Sequence, residues 1–121
     1  MGIKLLRDHH IKTAFITGEN TPIVTRRAEK LKIDYVFMGI EDKLTVAKEI
    51  CKTENMDLSE VAFIGDDLWD IELLGCVGVS ACPTNATRKV KEIPEILHLS
   101  RSGGDGAVRE FIDYLFDMNL I

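Results

Sequence analysis

Val61-Ala62-Phe63-Ile64-Gly65-Asp66-Asp67-Leu68-Trp69-Asp70 decides the fold. An apolar, β-branched run ends on a glycine and passes at once to acids on a turn, as a buried parallel strand does where it delivers a site at its carboxyl end. Asp66 and Asp70 are four apart, at a strand end and in the first turn of the following helix, so both carboxylates can face one point. Oxygen ligands of this kind suit Mg²⁺, which takes few protein ligands and keeps places for water and a phosphate oxygen. A plainer reading makes Asp67 or Asp70 a cap for the short helix over Trp69 to Leu74.

Working outward, Thr13-Ala14-Phe15-Ile16-Thr17-Gly18 repeats the pattern, with a hydroxyl and a glycine N–H in place of the acids. Thr17 and Gly18 are therefore candidates to hold a phosphate. Lys43 lies between the two stretches, at the start of a helical pattern running through Leu44, Ala47 and Cys51 to about Asn55. A cation at a helix start opposes the macrodipole, which favours a functional role for Lys43 over a solvated one. A hydroxyl, an ammonium and an acid pair, in that order on successive strand ends, suit a phosphate bound with a divalent cation.

Strands are expected at residues 12–17, 33–38, 61–65 and 77–81, with an edge strand at 96–99. Thr21-Pro22 should open a helix reaching about Lys32, with Val24, Ala28 and Leu31 inward. Asp57-Leu58-Ser59-Glu60 has capping-box spacing for one short turn. Val108, Phe111, Ile112 and Leu115 mark a closing amphipathic helix, and Ile3, Leu5 and Leu6 a helix at the start. His9 and His10 are adjacent and cannot chelate one ion as an i, i+4 pair could, so they read as a solvated helix end. Strands alternating with helices at short intervals give an α/β fold, a doubly wound parallel sheet.

The chain's 121 residues suit one domain, and a composition of 45% hydrophobic and 29% charged residues suits a globular one. The net charge of −5 argues against nonspecific nucleic-acid binding. No apolar run approaches the ~20 residues that span a bilayer and no leader opens the sequence, so a cytoplasmic location is expected. The three cysteines form no Cys-x-x-Cys pair, and Cys51, Cys76 and Cys82 read as small buried hydrophobes.

These residues and their order resemble the haloacid dehalogenase superfamily: Ile16-Thr17-Gly18 is similar to its second motif, Lys43 to its third, and Gly65 to Asp70 to its fourth. The likeness extends through Ser100-Arg101-Ser102-Gly103-Gly104-Asp105-Gly106-Ala107-Val108-Arg109-Glu110 to the capless, tetrameric phosphatases of 3-deoxy sugar-acid phosphates. It implies a Rossmann-like fold, Mg²⁺, a small-molecule sugar-acid phosphate as substrate and a homo-oligomer. Glu19 after Ile-Thr-Gly, with Lys30 eleven residues on, resembles the branch acting on 2-keto-3-deoxy-nononate 9-phosphate rather than the octulosonate 8-phosphate branch, which usually has Arg there. The resemblance gives Glu19 and Lys30 to the sugar; a surface helical pair is the plain alternative.

Two departures accompany it. Trp69 stands where family members often have Asn, and the first motif, Asp-x-Asp, occurs nowhere in the sequence. Its first Asp is the family's nucleophile and its second the general acid/base, so the chain reads as the family fold N-terminally truncated, without activity by itself. The rival expectation is a non-catalytic assembly domain like the one accompanying some sialic-acid (acylneuraminate) cytidylyltransferases, with a response-regulator-like phosphoacceptor more distant. The resemblance places the strand bearing that motif between the strands at 12–17 and 61–65. Because buried backbone groups need partners, those edges are expected to pair directly or to be covered by another segment or subunit.

Overall fold

The computed structural model describes residues 2–104 and 106–121. Its elements, in chain order, are α1 (Ile3–Asp8), β1 (Ala14–Ile16), α2 (Pro22–Leu31), β2 (Tyr35–Phe37), α3 (Lys43–Glu54), β3 (Ala62–Ile64), α4 (Ile71–Leu74), β4 (Val79–Cys82), α5 (Arg88–Lys91), β5 (Leu97–His98) and α6 (Ala107–Asp117). Short 3₁₀ turns at Leu58–Glu60 and Leu68–Asp70 lead into and out of β3. Every expected strand forms, each trimmed or shifted by a residue or two, and every strand pair is parallel.

Local chemistry accounts for the helix ends. Thr21 caps α2 by accepting from Val24 N, with Pro22 at the first helical position. Asp42 caps α3 by accepting from Thr45 N, and Asn55 closes it in the left-handed conformation that Asn tolerates. The box expected at Asp57 does not form: the turn is 3₁₀ and no side chain caps it.

The sheet divides. β1 pairs with β2, and β3–β4–β5 form a second sheet in that order. On the larger sheet, Leu74, Ala86, Val90 and Ile96 pack with Cys82 and Phe63 on one face, while Phe111, Leu115 and Ala107 pack with Ala81, Leu99 and Ile64 on the other. Burying a side chain such as Val90 or Leu74 is worth about 1.5–3 kcal/mol. The same α6 turns Ile112 toward Ile3 and Leu6 of α1, a cluster that also takes in Leu31 and Ile33 at the junction of α2 and β2. One helix thus fastens both sheets.

Neither direct pairing nor coverage is found between β1 and β3 among the described residues. The strands there are correspondingly less buried than expected: Ala14 and Ala62 are exposed, and no residue of β1 or β3 is fully buried, whereas Ala81 and Cys82 of β4 are 0% and 1% exposed. Water can reach backbone groups that a filled sheet would seclude. Cys51 and Cys82 are buried as expected, but Cys76 lies in the exposed turn after α4 and is not a core residue. His9 and His10 are exposed at the end of α1.

Two side chains hold the glycine-rich loop before α6: Asn85 Oδ1 accepts from Gly103 N at 2.8 Å, and Glu110 clamps its start. Glu110 accepts from Ser100 N through both carboxylate oxygens (3.0 and 2.9 Å), from Ser100 Oγ (2.9 Å) and from Arg101 N (3.0 Å). The Ser100 and Arg101 amides hold its pKa below the ordinary 4.5. A depressed carboxylate pKa adds stability that is present above the ordinary value and lost as pH falls through the folded one. Glu110→Gln should therefore lower the thermal midpoint at pH 7 and narrow the gap to wild type progressively below about pH 4.5; a gap that is constant with pH would exclude the clamp.

Candidate active site

The carboxyl-end loops of β1 and β2 open on one edge, as do those of β3 and β4, since each pair is parallel, and a contact between Lys43 and Asp70 joins the loop after β2 to the loop after β3. Asp70 is the organising residue there. It is only 3% exposed and the one buried charged side chain among the described residues. Its Oδ1 accepts from Lys43 Nζ at 2.6 Å, and its Oδ2 accepts from the Asp66 and Asp67 amides at 2.9 and 3.1 Å. The acid thus folds the turn that carries Asp66 and fixes the ammonium that begins α3.

Gly65 makes that position possible. A Cβ there would lie 2.7 Å from Asp70 Cβ and 2.9 Å from its Cγ, so no other residue leaves room for the buried carboxylate. Asp67 caps the next turn, accepting from Leu68 N at 2.7 Å. The plainer reading of these acids as caps is realised in part: Asp67 caps, and Asp70 secures backbone amides, while Asp66 does neither.

Asp66 stands out electrostatically. Although Asp66 is exposed, desolvation by the surrounding protein, then the like charges of Asp70 and Asp67, hold its carboxyl above the ordinary 3.8, with Lys43 pulling the other way. Asp66 and Asp70 share the influence of one ammonium, and that ammonium already serves Asp70. Asp66 could serve as one ligand of a divalent cation, since Mg²⁺ uses one or two carboxylates and fills its shell with waters and phosphate oxygens. Among the described residues no group of three or more His, Cys, Asp or Glu side chains is arranged to hold a metal alone.

Thr17 sits at the carboxyl end of β1, half-buried, its Oγ1 accepting from Glu19 N at 3.1 Å. Its carbonyl accepts from Ile40 N at 3.0 Å, which fastens the Thr17–Gly18 turn three residues upstream of Lys43. Gly18 and Glu19 are exposed on the same edge. Lys30 is not brought to them. It lies in the last turn of α2, a ten-residue helix of about 15 Å that runs back toward the opposite edge. Within one chain Glu19 and Lys30 are at opposite ends of a helix, because the crossover to a parallel strand must reverse direction.

One contributor was not anticipated. Thr87 N donates to the Asp66 carbonyl at 2.9 Å, and Thr87 Oγ1 is a buried side-chain oxygen without a partner. The loop after β4 thus supports the metal-side turn. Thr before a basic helix is a capping signal, but nothing in the sequence ties it to a carbonyl twenty-one residues earlier.

The profile of the haloacid dehalogenase-like hydrolases matches residues 39–112. The chain belongs to that family. It is 34% identical over 95% of its length to the 3-deoxy-D-manno-octulosonate 8-phosphate phosphatase of Haemophilus influenzae, and spans 63% of that relative. A probable phosphatase from Pseudomonas syringae superposes with a TM-score of 0.88 at 38% identity, over 96% of this chain and 65% of that one. The Moraxella catarrhalis octulosonate 8-phosphate phosphatase, solved in complex with magnesium, phosphate and KDO, gives 0.91 at 32% identity over 96% and 66%. The chain therefore spans somewhat under two thirds of the length of its relatives.

The site predicts a sharp contrast between two glycines. Gly65→Ala should destabilise by about 1–3 kcal/mol through overpacking against Asp70, while Gly104→Ala, with nothing within 4 Å of its Cβ, should be near neutral. Thermal or urea unfolding of both variants checks this; equal effects would show that Asp70 does not need the space.

Proposed function

We propose that this chain carries the phosphate- and cation-holding part of a Mg²⁺-dependent phosphatase acting on a 3-deoxy sugar-acid phosphate. The observation that carries the reading is the excess of carboxylate around Lys43: Asp66 is held beside Asp67 and Asp70 with its pKa raised, and Asp70 is saturated by Lys43 and two amides. The named relatives, the octulosonate 8-phosphate phosphatases, support the substrate class. In this reading Asp66 faces the cation, Asp70 stands behind it as second acid, and Thr17 Oγ1 and the Gly18 N–H meet a phosphate oxygen. Lys43 offsets negative charge between them. Bound Mg²⁺ would supply Lewis-acid polarisation of the phosphoryl group.

Glu19, exposed one residue beyond Gly18, is proposed to face the sugar hydroxyls and to favour the nine-carbon nononate over the eight-carbon octulosonate. Lys30 reaches such a ligand only from another copy of the chain, which accords with the proposed homo-oligomer. Leu68 and Trp69, 54% and 64% exposed beside the acids, are the surface a neighbouring subunit would cover. A cytosolic setting suits a sugar phosphate, and among the described residues no helix is long and apolar enough to cross a membrane.

Turnover needs an attacking group in line with the phosphate and an acid for the leaving oxygen, and each proton-transfer group is worth ~10²–10⁴-fold. The residues assembled here polarise and hold. Residues 1–121 are accordingly expected to bind Mg²⁺ weakly, with Asp66→Asn weakening it at least about tenfold, since loss of an outer-shell partner alone typically costs ~10–100-fold, and to release no phosphate above background. Calorimetry with Mg²⁺ and a phosphate-release assay check both; unchanged Mg²⁺ affinity in Asp66→Asn would remove the cation role, and Asp66-dependent turnover would reveal a nucleophile within the chain. With Mg²⁺ present, the nine-carbon phosphate should compete better than the eight-carbon one, and Glu19→Ala should erase that difference; equal competition in the unaltered chain would exclude Glu19 as the discriminator.

A further inference from the structure

The loops that follow β3, β4 and β5 are joined side by side above the carboxyl edge of the larger sheet, where each strand runs parallel to its neighbour. At the strand ends Gly65 N donates to the Ala81 carbonyl at 3.0 Å and Leu99 N to the Cys82 carbonyl at 2.9 Å. Past the strands the joining continues. Thr87 N donates to the Asp66 carbonyl at 2.9 Å, and Thr84 N donates to the Arg101 carbonyl at 2.9 Å. One short segment, 83–87, therefore bonds to the glycine-rich loop near its beginning and to the Asp66 turn at its end.

The base of that segment is fixed by burial: Pro83 is buried, and Ala86 packs in one cluster with Cys82 and Val90. Its exposed part is held by Asn85. An Asn in a turn ordinarily bonds its own backbone two residues on, but Asn85 Oδ1 accepts from Gly103 N, 18 residues away, at 2.8 Å. Gly103 rests against the segment closely enough that a Cβ there would lie 3.5 Å from Asn85 Oδ1 and 3.8 Å from Pro83 Cγ. Glu110 secures the start of the same loop through the Ser100 and Arg101 amides, so Asn85 is tied to an anchored loop.

We infer that Asn85 is a positioning residue for Asp66. By tying segment 83–87 to the glycine-rich loop it sets where the Thr87 amide stands, and that amide holds the Asp66 carbonyl from a neighbouring loop. The Asp66 N–H is held from within its own turn, by Asp70 Oδ2 at 2.9 Å. With both backbone groups of Asp66 fixed, the direction in which its carboxylate leaves the chain is fixed as well. Mg²⁺ demands near-ideal placement of its ligands, and groups that only orient a ligand change metal affinity measurably. This role rests on the reading of Asp66 as a cation ligand, and it reaches that ligand through two loops without touching the cation.

The test compares three variants of residues 1–121: Asn85→Ala, which removes the acceptor, Asn85→Asp, which keeps one, and Ile112→Val, which trims the packing between α6 and α1 far from these loops. Amide exchange at Thr87 is followed by NMR without metal, and Mg²⁺ affinity by calorimetry. Asn85→Ala should speed exchange at Thr87 and weaken Mg²⁺ binding, each about fivefold, the equilibrium equivalent of one ordinary hydrogen bond. Asn85→Asp should retain both values of the unaltered chain, and Ile112→Val should change neither. In an Asp66→Asn background, Asn85→Ala should weaken Mg²⁺ no further, since the two act as one unit. Unchanged Thr87 exchange in Asn85→Ala would overturn the inference, as would faster exchange with unaltered Mg²⁺ affinity. Equal weakening by Ile112→Val would also overturn it, by reducing the effect to general stability. If the unaltered chain binds no Mg²⁺, the cation reading fails instead, and exchange at Thr87 alone decides whether Asn85 holds the Asp66 turn.

Discussion

The buried ion pair between Lys43 and Asp70 is the constraint on which the rest of the structure depends. Its members are 27 residues apart, one at the start of α3 and the other in the 3₁₀ turn after β3, and only 12% and 4% of their side chains are exposed. Two charges at that depth cost several kcal/mol to desolvate, so the pair is tolerated only because Asp70 also receives two backbone amides. Removing one partner of such a pair typically costs 3–5 kcal/mol. The exposed Lys4–Asp8 and Arg109–Asp113 pairs, by contrast, are of the i, i+4 kind worth about 0.3–0.5 kcal/mol. What the pair stabilises is an arrangement: the loop after β2 is held against the turn after β3, and the Asp66 turn is set.

Much of this was legible. The apolar runs ending in Thr17-Gly18 and Gly65-Asp66 fixed two strands and their direction, because β-branched runs bounded by glycine have few alternatives. Thr21-Pro22 announced a helix start that the structure caps as expected, and the helical pattern beginning at Lys43 forms, with Asp42 as its cap. Lys43, singled out because a cation opposes the dipole at a helix start, proved to be held there by Asp70.

The remainder depended on long-range geometry that spacing does not encode. The i, i+4 relation of Asp66 and Asp70 allowed both to face outward, yet burial turned Asp70 inward to Lys43 and the amides, so one acid organises while the other remains available. Lys30 looked equivalent to Glu19 along the sequence, but the reversal of α2 separates them. Cys76 counted as a hydrophobe until the turn after α4 placed it in solvent. The Glu110 clamp needed a ten-residue loop to close, and the division of the sheet reflects which strands lack a second neighbour, a property of topology rather than of any one segment.

The central claim is that Lys43 and Asp70 act as a coupled unit that shapes the Asp66 turn. A double-mutant cycle of Lys43→Met and Asp70→Asn, read by urea unfolding, measures this most directly. The account predicts that the single changes are strongly non-additive, with a coupling energy of about 2 kcal/mol or more, within the range for contacting partners. Additivity within ~0.5 kcal/mol, as for distant sites, would contradict it and leave α6 alone to hold the two sheets.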